Sequence, residues 1–126
     1  MKKVLKTPNA PKSVGTYNQA IESNNFIFTS GQVGIDPASN KLVEGGLENE
    51  INQVLKNIDF ILKDSNLERS HIIKLTVFLI DLNQFATINE AFKKFFGRIK
   101  FPARSTVEVS KLPLGANVEI ECIACR

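Results

Sequence analysis

Two stretches towards the C-terminal end carry the side chains best suited to chemistry. They are Phe101-Pro-Ala-Arg-Ser-Thr-Val-Glu-Val109 and Leu112-Pro-Leu-Gly-Ala-Asn-Val-Glu-Ile-Glu-Cys122. Each alternates with a period of two residues, so each is expected to form a strand. In the first, Arg104, Thr106 and Glu108 share a face opposite Ser105, Val107 and Val109. In the second, Glu119 and Glu121 lie opposite Val118, Ile120, Cys122 and Ala124. With both strands paired in one sheet, the apolar side would pack under helices and the other would bring Arg104 towards the carboxylates. A guanidinium is a rigid donor fork that matches a carboxylate in bidentate fashion. Spacing alone leaves two readings open: an anion site, or a solvated sheet face with ordinary cross-strand ion pairs.

Other chemistries lack their members. The two cysteines form Cys122-Ile-Ala-Cys125. On a strand, residues three apart point to opposite faces with Cα atoms roughly 10 Å apart, beyond disulfide reach. No second cysteine pair exists and the single histidine, His71, is distant in sequence, so neither a metal centre nor a Ser-His-Asp triad is indicated. Cys122 reads as a small core residue, and His71 is expected to open a strand. Ser30-Gly-Gln-Val-Gly34 is neither a dinucleotide fingerprint nor a phosphate loop. Its glycines fit a bulge or turn, or a close backbone approach by a ligand. No cofactor is called for.

A chain of 126 residues fits one domain, able to bury roughly two-thirds of its unfolded surface. The net charge is +3, and basic residues adjoin only at Lys2-Lys3 and Lys93-Lys94. No basic tract suited to a phosphate backbone follows, which speaks against nucleic acid as the primary partner. There is no apolar run of bilayer length and no signal-peptide core at the start, so no membrane role and a cytosolic setting are expected.

The elements that position these residues read in order. Lys3 to Lys6 is a possible short strand, followed by a loop. Tyr17 to Ile21 and Asn25 to Ser30 form a hairpin around Glu22-Ser-Asn-Asn25, with Tyr17 a half-buried strand aromatic. Asp36 to Gly46 is a turn-rich connection. Leu47, Ile51, Val54, Leu55, Ile58, Ile61 and Leu62 mark a helix, with Lys56, Asn57, Lys63 and Asp64 facing water. Ile72 to Ile80 reads as a central strand buried on both faces, with Lys74, Thr76 and Phe78 on the second. Two helices leave little to cover that face, a hint of oligomerisation. A second helix follows, with Asn83 as N-cap, a stripe of Phe85, Ile88, Phe92, Phe95 and Phe96, Asn89 at its edge and Gly97 as terminator. The result is an α+β two-layer sandwich: a mixed sheet with two helices on one face, in ββ-α-β-α-ββ order after a short N-terminal strand.

The chain also resembles a known family. Gly15-Thr-Tyr-Asn-Gln-Ala20, Phe28 to Asp36, Thr76 to Asn89, Phe101 to Val109 and Leu112 to Glu121 are similar to the reactive intermediate deaminase A (RidA, or YjgF) family, in order and at its spacing. The resemblance implies a chorismate-mutase-like fold and a homotrimer with clefts between subunits. Those clefts would hydrolyse 2-imino acids such as 2-iminobutanoate and 2-iminopropanoate to 2-oxo acids and ammonia. It further implies that Arg104 clamps the substrate carboxylate and Glu119 holds the attacking water. Tyr17, Ser30, Gly31 and Asn89 would line the pocket, and Thr106, where many relatives carry Cys, would offer a backbone carbonyl. PLP-dependent dehydratases would be the source of the imine. Two other classes remain: a non-catalytic trimer that binds small carboxylates or acts as a holdase, and an RNA-directed nuclease or translation inhibitor.

Overall fold

The computed structural model describes residues 1–126. Ten regular elements follow one another: β1 (Lys3–Leu5), β2 (Ala20–Ser23), β3 (Phe26–Thr29), β4 (Ile35–Asp36), β5 (Lys41–Leu42), α1 (Leu47–Asp64), β6 (Ile72–Leu79), α2 (Phe85–Phe96), β7 (Ala103–Glu108) and β8 (Val118–Cys125). Six of the strands form one mixed sheet in the order β1-β2-β3-β8-β6-β7, with only β6 and β7 parallel. The helices cover one face, as the α+β reading expects. β4 and β5 make a separate two-stranded ribbon inside what the sequence suggests is only a turn-rich connection.

Local chemistry explains the boundaries. Asn24 and Asn25, both at positive φ (50° and 68°), make the two-residue turn whose twist suits a hairpin. The strand before it begins at Ala20, so Tyr17 lies on a loop and not on the strand where the alternation places it. α1 ends as Asn66 (φ 59°) turns left-handed, with Asn66 N–H donating to Lys63 O and Leu67 N–H to Leu62 O. Asn83 does not cap α2. It lies inside a 3-10 turn (Leu82–Gln84) whose own cap is Asp81, with Asp81 Oδ1 accepting from the Asn83 N–H at 3.0 Å, and α2 starts after Gln84 with no side-chain cap. Gly97 (φ 57°) terminates it, as expected. His71 closes a 3-10 turn directly before β6.

Ile51, Val54, Ile58 and Leu62 of α1, and Ile88, Phe92 and Phe96 of α2, pack onto Leu75, Val77, Leu79, Val118, Ile120 and Cys122. Cys122 is a free thiol pushed up to about 12, chiefly by burial. Asn57 does not face water as the helical periodicity suggests. It is fully buried, donating from Nδ2 to Ile35 O at 2.9 Å and accepting from Gln53 Nε2, which fastens the β4 ribbon to α1. Arg69 forks onto the buried Asp59 of α1 at 3.0 and 2.9 Å and donates to Phe95 O of α2, joining the two helices. β6 is buried on its helix face only. On the open face Lys74, Thr76 and Phe78 are half-buried, beside exposed Phe26, Phe28, Ile73 and Val107.

Candidate functional site

Register decides which side chains meet. β7 and β8 do not pair with each other, because β6 runs between them. Arg104, Thr106 and Glu108 stand beside Leu75, Val77 and Leu79 on the helix-covered face. Glu119 and Glu121 stand beside Phe78 and Thr76 on the open face. The expectation that one sheet face brings Arg104 towards the carboxylates is therefore wrong within a chain. Alternation fixes the two faces of each strand but not how those of separate strands match across a third.

Arg104 looks into a cleft of about 450 Å³ between α2 and the segment from Phe101 to Arg104, lined also by Asn89, Phe92, Lys93 and Phe96. Its guanidinium carbon lies 4.9 Å from the Phe85 ring centre and 5.4 Å from that of Phe92, within cation–π range. None of the chain's ion pairs involves it. Burial alone draws its pKa below the usual guanidinium range, and it remains a cation at neutral pH. Beside it the Thr106 hydroxyl is buried with no hydrogen-bond partner. β7 is an edge strand, so one side of its main chain is open to a ligand.

Glu119 borders a second cleft, of about 340 Å³, with Tyr17, Gly31, Gln32, Val33 and Leu114 among its walls. Burial raises its carboxyl pKa above the ordinary value, and the neighbouring Glu121 adds to the rise. Gly31 lies directly over this carboxyl: a Cβ there would stand 2.7 Å from Glu119 Cδ. The wall carrying Tyr17 is knitted by buried Gln19, which accepts from Thr7 N–H at 2.7 Å and donates to Thr7 O and Pro11 O. Ser30 belongs to this support, its hydroxyl donating to Asn18 O at 2.5 Å.

The family described as "Endoribonuclease L-PSP" matches residues 7–126. The chain belongs to this RidA/YjgF family. A RutC family protein of Aquifex aeolicus is 47% identical over 97% of this chain and 98% of its own. The mouse 2-iminobutanoate/2-iminopropanoate deaminase is 44% identical over 98% of this chain and 91% of its own. A crystal structure of a Yersinia pestis member of the Rid family superposes with a TM-score of 0.97 at 44% identity, covering all of both chains.

Of the residues that the RidA resemblance singles out, the structure gathers Arg104 and Asn89 in one cleft and Tyr17, Gly31 and Glu119 in the other. Sequence reading passed over Phe85 and Phe92 as partners of Arg104, and took both only as core stripe. It also passed over Gln19, Glu50 and Asn117, whose roles rest on contacts distant in sequence. Leu114 at positive φ (60°) is a turn that only the Pro-Leu-Gly run hints at.

Proposed function

We propose that this RidA-family protein hydrolyses small 2-imino acids and their enamine tautomers, 2-iminobutanoate and 2-iminopropanoate among them, to 2-oxo acids and ammonia. The observation that carries the reading is Arg104, a half-buried guanidinium in an aromatic-walled cleft with no carboxylate of its own chain to neutralise it. Because Glu119 faces the other side of the sheet, one small substrate meets both residues only where a second copy docks. The exposed apolar patch of Phe26, Phe28, Ile73 and Val107 on the open face supports such docking. A homotrimer with one cleft at each interface satisfies both needs.

In this scheme Arg104 binds the carboxylate through its fork, which fixes where the imine carbon lies. Positioning of this kind lowers a barrier by several kcal/mol, on the order of 7 or more at best. Water held by Glu119 of the adjoining copy adds through oxygen to that carbon. The C=N π pair moves to nitrogen, which takes up the proton that Glu119 relays from the water. The carbinolamine then collapses: its hydroxyl proton passes to nitrogen, the oxygen lone pair completes C=O, and the C–N bond breaks to release ammonia. One water is consumed in total. The raised pKa of Glu119 moves it towards the range in which a carboxyl both accepts and returns a proton.

The test is to generate 2-iminobutanoate in place with a PLP-dependent threonine dehydratase and follow 2-oxobutanoate release. Acceleration by wild type that Arg104→Ala and Glu119→Gln both lose supports the scheme. A folded wild type that binds 2-oxo acids without accelerating release supports a small-carboxylate-binding trimer instead. An RNA-directed activity has the family's description in its favour. Its surface support is a groove with Lys56, Arg69 and Lys94, where Arg69 is already engaged by Asp59. Steeply salt-dependent RNA binding would favour it.

A further inference from the structure

Both walls of the Glu119 cleft converge on one residue of α1 that the proposed chemistry does not use. Glu50, in the first turn of that helix, is only 2% exposed and pairs with no cation. Its carboxylate accepts from the Asn117 main-chain N–H at 2.8 Å and from Asn117 Nδ2 at 2.5 Å. Asn117 stands two residues before Glu119. Only Ala116 separates it from the turn in which Leu114 and Gly115 are both left-handed, at φ 60° and 68°. A non-glycine residue keeps such a conformation only where its surroundings fix it.

The other wall reaches the same place. Gly34 lies flat on Glu50, where a Cβ would stand 2.9 Å from both the Cα and the carbonyl oxygen of Glu50. Gly34 ends the segment whose Gln32 exchanges two main-chain hydrogen bonds with Ile120, at 2.8 and 3.0 Å, and whose Gly31 covers the Glu119 carboxyl. The main chain is thus held on either side of Glu119, at Asn117 and at Ile120, and both holds lead back to Glu50. A buried carboxylate without a cation is costly for a residue that only packs, and an aliphatic side chain would fill the space at lower cost.

We infer that Glu50, acting through Asn117, is a positioning residue that sets the placement of the Glu119 carboxyl; its kinetic test rests on the imine-hydrolysis reading. In Glu50→Ala the Asn117 N–H loses its acceptor while the Arg104 cleft is untouched. The expected result is a kcat lower by about tenfold to a hundredfold with KM within about threefold of wild type. Glu50→Gln should restore most of kcat, since its oxygen still accepts from the Asn117 N–H and the Asn117 amide can turn to meet its nitrogen. Asn117→Ala, which keeps the main-chain bond, should fall between, and carries the test if Glu50→Ala does not fold. Circular dichroism and gel filtration confirm that each variant keeps its fold and assembly.

A folded Glu50→Ala with wild-type kcat overturns the inference. So does a rise in KM that matches the fall in kcat, or a Glu50→Gln as impaired as the alanine variant. An active wild type with unaffected variants removes the role of Glu50 alone. An inactive wild type overturns imine hydrolysis and that role with it.

Discussion

The Arg104 half and the Glu119 half of the molecule are built by different means. Arg104 is placed by neighbours in sequence: α2 supplies Phe85, Asn89 and Phe92, and the strand after it supplies the guanidinium. Packing is enough there, because an aromatic wall holds a planar cation without buried polar bonds. The Glu119 half is drawn from the N-terminal loop, the segment after β3, the turn before β8 and β8 itself. Buried Gln19 and Glu50, the hydrogen bonds from Asn117 to Glu50, and the close approaches at Gly31 and Gly34 hold it together. A clamp for a carboxylate tolerates approximate placement of its walls. A group with the role proposed for Glu119, presenting one water and moving one proton, would not, and the density of fixed hydrogen bonds is in keeping with that proposal.

Removing the clamp should have the largest effect. Arg104→Ala is expected to lower kcat/KM for 2-iminobutanoate by about a thousandfold, and Arg104→Lys to recover only part of it, because an ammonium lacks the fork. Steady-state kinetics with the coupled dehydratase check this, and a lysine variant equal to wild type would show that charge alone suffices. Next comes Gly31→Ala, whose added carbon would stand 2.7 Å from Glu119 Cδ and 2.8 Å from its Oε1. The flexible carboxyl should swing aside, lowering kcat by about tenfold or more while KM stays near wild type. Equal losses in both constants would mean that the two halves are not independent.

The smallest effect concerns stability. Burial raises the Glu119 pKa in the folded state, so the folded protein binds that proton more tightly than the unfolded chain does. The sign follows directly: the stability this proton confers is full below the unfolded carboxylate pKa and is lost as pH rises through the folded value. Glu119→Gln removes that dependence. It should melt at a higher temperature than wild type at neutral pH, with the gap closing as the solution is acidified. Melting curves across that range test it, and a gap independent of pH would contradict it.

The fold was legible where one segment carries its own signal. The stripes of α1 and α2, the hairpin around Asn24 and Asn25, and the alternation in β7 and β8 all follow from local spacing. Asn89 lies with Arg104 in one cleft and Tyr17 and Gly31 lie with Glu119 in another, where the resemblance implies a single pocket; joining the two between copies belongs to the proposed function. What failed was non-local. Asn57 sits on the polar side of a helical wheel, yet the β4 ribbon folds over it and supplies the Ile35 carbonyl. Asn83 failed as the cap of α2 because a 3-10 turn, itself capped by Asp81, precedes the helix and takes Asn83 into its interior. The separation of Arg104 from Glu119 depends on β6 inserting between their strands, which no reading of either strand alone contains. Glu50 resembles any first-turn acid until Asn117, 67 residues away, is seen to donate to it.

The shared cleft is tested most directly by mixing two inactive variants. Arg104→Ala and Glu119→Gln would be co-expressed with different tags, and the mixed assemblies, trimers in the proposed scheme, purified through both. If each cleft takes Arg104 from one copy and Glu119 from the next, an equal random mixture restores both residues in about a quarter of the clefts around a closed ring. Activity should therefore return to about a quarter of wild type before tag selection, and higher in the doubly selected trimers. Mixed trimers that assemble fully yet stay as inactive as the parent variants would contradict a site shared between copies.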